Sequence, residues 1–165
     1  ALINEPRAEW IAASNHLANV IATDPDAFEP KQRWAMDWYY PVLGGAMVGE
    51  QAKARLAEGW DVFAMEGKGI RCVSDEPWIT ASETAEAALA HAAIGDLSTA
   101  TDLLDWTRSH RLDDGSYWTG IVYPSGERFP FGETSAYTAA AVILAADAIT
   151  IGSPASGVFA PRVMD

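Results

Sequence analysis

The feature that most restricts this chain is a repeat. Trp60 and Trp106 stand 46 residues apart, Asp37 and Glu83 likewise 46, and Glu133 follows Glu83 by 50. Each unit holds a helix, a long connection, an acidic residue at the mouth of the next helix, and a short return. The matching tripeptides Glu83-Thr84-Ala85 and Glu133-Thr134-Ser135 support the register. Hairpin units of this length cannot bury their apolar faces alone and must stack on their neighbours, which admits a solenoid or a closed toroid.

Apolar periodicity predicts six helices. The first covers residues 6–22, from Pro6, with Trp10, Ala13, Leu17, Val20 and Ile21 on one face and Asp24-Pro25 as its stop. The second opens between Asp37 and Pro41, since a proline fits a first helical turn, where its missing N–H costs nothing. A third runs over 50–63 with Ala52, Leu56, Trp60 and Phe63 in one stripe, and a fourth over 82–94 with Ala85, Ala88, Leu89 and Ala92. Only Gly95 and Asp96 separate the fourth from a fifth at 98–110, so those two are antiparallel neighbours. The sixth, 134–149, is apolar almost all round and is expected to be buried. The mouth helices are richer in Ala, Gly and apolar residues than the amphipathic return helices, as an inner ring within an outer one requires. Both long connections, 64–79 and 111–132, enter mouth helices by their N-termini and so share one face, where a site is expected. The fold expected is all-α: an α/α toroid over residues 1–150, with a C-terminal tail over 151–165.

Between Arg33 and Gly45 the chain reads R-W-A-M-D-W-Y-Y-P-V-L-G-G. Three consecutive aromatics, Trp38, Tyr39 and Tyr40, must point at least one ring away from a core, toward a cavity or a partner. Composition narrows what that partner is. Eleven Lys and Arg against 23 Asp and Glu give a formal charge of −12, which opposes nucleic acid and anionic membrane and suits a neutral ligand. A single cysteine, Cys72, forms no internal disulfide, and no apolar run reaches transmembrane length; a cytoplasmic home is expected. The chain opens at Ala1 and enters helical sequence almost at once, so it is read as part of a longer product.

The segments M-D-W-Y-Y-P-V-L-G-G, G-I-R-C-V-S-D-E-P-W-I-T-A-S-E-T, D-G-S-Y-W-T-G-I-V-Y-P and A-A-V-I-L-A-A-D-A-I together resemble an actinobacterial family of α/α-toroid proteins. Many of its members carry a prenyltransferase label from fold similarity. Others look like endo-acting α-mannosidases that cut cytosolic methylmannose polysaccharides. The resemblance covers about Trp34 to Ile149. It implies a six-hairpin (α/α)6 barrel of about twice this length, of which some three hairpins fall here, and an N-terminal half of the same protein as partner.

Glycoside hydrolysis needs two carboxyl groups flanking the scissile bond. Asp37, Glu83 and Glu133 hold equivalent repeat positions and are the candidates. Each has a structural alternative or lacks one for a stated reason. Thr80-Ala81-Ser82-Glu83 is a capping-box pattern, Asp37 suits an N-cap, and Glu133 has Pro130 three residues earlier, which caps nothing. The resemblance tilts Glu83 toward catalysis. Trp38, Tyr39, Tyr40, Trp78, Tyr117 and Trp118, at mouths and connections, are candidate sugar contacts, while Trp10, Trp60 and Trp106 suit core packing between helices. Flat rings serve a pyranose face or a terpenoid carbocation equally. Neither D-x-D-D nor D-D-x-x-D occurs, and Asp113-Asp114-Gly115 reads as a turn, which weakens the prenyl reading. Arg71 is a sugar or carboxylate clamp or a simple ion pair, with the ion pair favoured. His16, His91 and His110 lack ligand spacing, Gly67-Lys68-Gly69 is too short for a phosphate loop, and Cys72 reads as structural. No metal or cofactor is expected. The sequence thus reads as an endo-acting hydrolase of an α-linked, mannose-type polysaccharide. A prenyltransferase or terpenoid cyclase, and a non-catalytic glycan-binding helical module, are the alternatives.

Overall fold

A computed structural model describes residues 7–159 of the chain; the expected helix start at Pro6 and residues 160–165 of the tail lie outside them. Six α-helices form: α1 (Ala8–Thr23), α2 (Ala35–Leu43), α3 (Gly49–Phe63), α4 (Ala81–Ala93), α5 (Leu97–Trp106) and α6 (Ala136–Thr150). Five short strands join them: β1 (Ala64–Met65), β2 (Gly69–Arg71), β3 (Trp78–Thr80), β4 (Trp118–Val122) and β5 (Arg128–Thr134). The strands make one antiparallel sheet in the order β1-β2-β3-β4-β5.

That sheet corrects the expected fold. The chain is mixed α and β, not an all-α toroid, because the two long connections pair with each other through β3 and β4, Ile79 opposite Ile121. These segments are rich in β-branched and aromatic residues, the types that fit a pleated, half-buried surface. A proline–glycine turn closes the last hairpin, with the Gly126 N–H donating to the Val122 carbonyl at 2.8 Å.

Helix α4 is the centre of the molecule. It packs against α2, α5, α6 and the sheet, and its run of small residues, Ala85, Ala87, Ala88, Ala90 and Ala92, lets these neighbours approach on every side. One hydroxyl fastens helix to sheet: Thr84 Oγ1 accepts from the Ile70 N–H at 2.9 Å and donates to the Thr80 carbonyl at 2.6 Å. Since β3 leads into α4 and β5 into α6, the sheet lies at the N-terminal ends of both helices.

Pro41 sits inside α2, not in its first turn as expected. A proline there deprives the carbonyl four residues back, that of Asp37, of its helical donor. Arg55 on α3 replaces it: Nη2 donates to the Asp37 carbonyl at 3.0 Å, and Nε to the Trp38 carbonyl at 3.2 Å. The same α2–α3 contact needs Gly59, where a Cβ would stand 2.4 Å from the Trp38 indole. Trp38 is stacked on Phe63 with ring centroids 5.5 Å apart and donates its indole N–H to the Arg55 carbonyl at 2.8 Å.

Helix α6 is not buried all round. Thr138, Ala141, Val142, Ala145 and Ala148 face inward, while Ile143 is 67% exposed and Leu144 is also exposed. After it, a 3₁₀ turn at Pro154–Val158 packs on α6, and Phe159 packs against the core. Helix α1 has no buried residue, and Trp10, expected in a core, is exposed there. No described helix is long and apolar enough to cross a membrane.

Candidate active site

The N-terminal mouth of α4 concentrates the candidate chemistry. From Ala81 to Ala92 every residue but one is buried, and the exception is Glu83. A helix enclosed by alanine contacts thus opens one carboxyl toward solvent. The capping-box alternative for Glu83 is not realised. Thr80 is the N-cap residue, but its side chain makes no capping bond and its Oγ1 is buried without a partner. Glu83 Oε2 instead accepts from Ser82 Oγ at 2.6 Å.

Asp37 stands at the corresponding third position of α2, counted from Trp34 as the N-cap residue, so it does not cap the helix itself. Its Oδ2 lies 3.8 Å from Arg55 Nη2, which gives this carboxylate a cation partner. Glu133 departs from the repeat. It is an exposed residue of β5, ahead of Ser135, and Ser135 caps α6 through its side chain.

The aromatic run divides as its spacing requires. Trp38 and Tyr39 are buried, and Tyr40 is 41% exposed. Tyr40 meets Tyr39 edge to face, centroids 5.2 Å apart. Burial, with Glu86 and then Glu83 as further causes, drives the Tyr39 phenol well above its ordinary pKa; Tyr40 is raised too, by burial first.

Sequence reasoning missed Glu86 and Tyr137. Glu86 is a buried carboxylate whose Oε2 accepts from the Tyr39 hydroxyl at 2.6 Å and whose Oε1 accepts from the Tyr137 hydroxyl. The signal was present: an acid in the run A-E-A-A-L-A-H-A-A has no solvated face to occupy, so it must be buried with a partner.

On the sheet, Trp78 stacks on Phe129 at 4.9 Å and the Arg128 guanidinium lies 5.7 Å above the Trp118 ring. Tyr117 packs against the core and is partly buried. Arg71 makes no ion pair among the described residues. Its Nη1 donates to the Val62 carbonyl at 3.2 Å and its Nε is buried without a partner. Cys72 is buried, which pushes its thiol up to about 11, as suits an inert packing residue. Among the described residues no group of three His, Cys, Asp or Glu side chains is arranged to hold a metal ion. A well-formed concavity lies at the other end of the helices: a groove of ≈ 230 Å³ between the C-terminal ends of α2 and α4, walled by Val42, Met47, Ile94 and Phe159.

No protein-family model matches the chain. Over 157 residues, 95% of its length, it is 50% identical to a protein of Mycolicibacterium hassiacum named MMP endo-(1,4)-3-O-methyl-alpha-D-mannosidase. The chain spans 44% of that relative's length.

Proposed function

We propose that this chain is part of a glycoside hydrolase that cuts an α-1,4-linked, 3-O-methylated mannose polysaccharide internally. The observation that carries the reading is the 50% identity, over nearly the whole chain, to a protein named for that reaction. Its name favours hydrolysis over prenyl transfer, and the formal charge of −12 suits a neutral glycan rather than an isoprenoid diphosphate.

In this reading Glu83 is the carboxyl that donates a proton to the glycosidic oxygen or takes one from the attacking water. The opposite carboxyl is Asp37, Glu133 or a group from the remaining part of a longer protein. Tyr40, Trp78 and Trp118 offer ring faces to pyranose units, with Arg71 and Tyr117 beside them; Trp38 and Tyr39 support the wall from behind. The remainder of that protein is also the partner proposed for the bare flank of α6, where Ile143 and Leu144 share an exposed face.

The test is incubation of the full-length protein with a 3-O-methylmannose oligosaccharide. Shorter oligosaccharides from internal cuts are expected. No cleavage, combined with turnover of an isoprenoid diphosphate, overturns the reading.

A further inference from the structure

Glu86 poses a problem that packing alone does not answer. It is 8% exposed, in the middle of an alanine-rich helix, and no described Lys, Arg or His forms an ion pair with it. Burying a carboxylate without a cation is costly, and a neutral side chain would tie the same helices together at lower cost. Its two oxygens are taken by phenols from two different helices, Tyr39 on α2 and Tyr137 on α6. Tyr39 is wholly buried, so it anchors the carboxylate from behind, whereas Tyr137 is 58% exposed and presents its ring at the surface. Tyr40, also exposed, meets Tyr39 edge to face with ring centroids 5.2 Å apart, and so rests on the phenol that Glu86 anchors. Glu83 is three residues before Glu86 on α4, hence on the same helix face.

We propose that Glu86 is a positioning residue that fixes the rings of Tyr137 and Tyr40 as the platform on which a methylated sugar lies beside Glu83. This rests on the hydrolase reading above. A carboxyl buried between two helices and accepting from a phenol on each leaves those rings little freedom. Glu86 also accepts the hydrogen bond of the Tyr137 hydroxyl, so that ring offers an apolar face without a free donor. A methyl ether loses nothing against such a surface, while a bare sugar hydroxyl forfeits a hydrogen bond. The cluster therefore selects for O-methylation as well as placing the sugar.

The experiment compares wild type, Glu86→Gln, Tyr137→Phe and the double variant in the full-length protein. Each is assayed for kcat and KM on a 3-O-methylmannose oligosaccharide, and for binding of that probe and its unmethylated counterpart in a Glu83→Gln background. Each single change is expected to weaken binding of the methylated probe about 10-fold, the upper end for one lost hydrogen bond of ordinary strength. KM should rise accordingly while kcat falls less, and the double variant should be no worse than Glu86→Gln alone, because both changes break one contact. Tyr137→Phe removes a single hydroxyl from an exposed residue, so it carries the test if Glu86→Gln does not fold. Unchanged affinity in Tyr137→Phe, additive effects in the double variant, or equal affinity of the wild type for the two probes overturns the proposal. A wild type that binds the methylated probe but never cuts it sinks the hydrolase reading and leaves the cluster standing; one that binds neither probe overturns both.

Discussion

Replacing Arg55 by Leu tests the account of α2 most sharply. Arg55 donates to two main-chain carbonyls, and one of them, that of Asp37, has no helical donor because residue 41 is proline. Hydrogen bonds from a charged donor are worth about 1.5–3 kcal/mol each, and the orphaned carbonyl of Asp37 adds its own cost when half-buried. The Coulomb attraction to the Asp37 carboxylate contributes little, since that side chain is 35% exposed and 3.8 Å away. The expected loss is therefore about 3–6 kcal/mol, dominated by the two carbonyls. Pro41→Ala supplies the decisive comparison, because it returns an N–H to the Asp37 carbonyl. In the Arg55→Leu background it should recover about 1 kcal/mol more than it gives in the wild type. The gain in unfolded-chain entropy that accompanies loss of a proline is the same in both backgrounds and cancels in the cycle. Urea unfolding of the four proteins measures all terms. Additive free energies, or an Arg55→Leu loss below about 0.5 kcal/mol, would refute the reasoning.

Gly59→Ala should destabilise by about 1–3 kcal/mol, because the new Cβ meets the Trp38 ring, which is already held by its stack on Phe63 and its bond to the Arg55 carbonyl; a melting temperature equal to wild type counts against it. Tyr40→Ala should weaken binding of a 3-O-methylmannose oligosaccharide with little change in stability, whereas Trp38→Ala should cost about 3–5 kcal/mol; melting curves beside binding isotherms separate the two, and the reverse pattern returns Tyr40 to the core. Stability should fall on acidification. Burial lowers His91, with Asp96 opposing, and also lowers His110, with the Ile79 carbonyl opposing. Both histidines thus favour the neutral form when folded, a contribution complete above the ordinary value near 6.5 and lost as pH falls through the lower folded values. Melting temperature should be lower at pH 5 than at pH 7.5, and a flat or rising profile would contradict this.

Much of the helical part was legible because its signals are local. The stripe Ala52, Leu56, Trp60 and Phe63 and the two-residue break at Gly95-Asp96 determine α3, α4 and α5 through spacing alone; in the structure Ala52, Leu56 and Phe63 are buried, Trp60 is partly buried against the core, and Asp96 caps α5. The sheet was not legible by the same means. Strands of two or three residues such as Gly69–Arg71 show no alternation long enough to read, and β3 finds β4 across a stretch of sequence that includes all of α4 and α5. Pro41 misled for a related reason: the donor that makes it tolerable comes from Arg55, on another helix. Among the candidate residues, the place of Glu83 in the first turn of a helix was readable, and so was one outward ring in the run Trp38 to Tyr40. Glu133 was not, because the strand β5 runs through it and α6 starts only after Ser135. Glu86 and Tyr137 meet across three helices, and no spacing within one segment reveals such a contact.

Turnover of a 3-O-methylmannose oligosaccharide by Glu83→Gln bears most directly on the proposed function. Glu83 makes a side-chain hydrogen bond only to Ser82 among the described residues, at 2.6 Å, and a Gln amide oxygen accepts that bond equally. Folding and glycan binding should therefore persist, while kcat falls by ~10²–10⁴-fold, because an amide cannot transfer the proton. A Glu83→Gln protein that cuts the oligosaccharide at a rate close to wild type would contradict the account and remove Glu83 from the site.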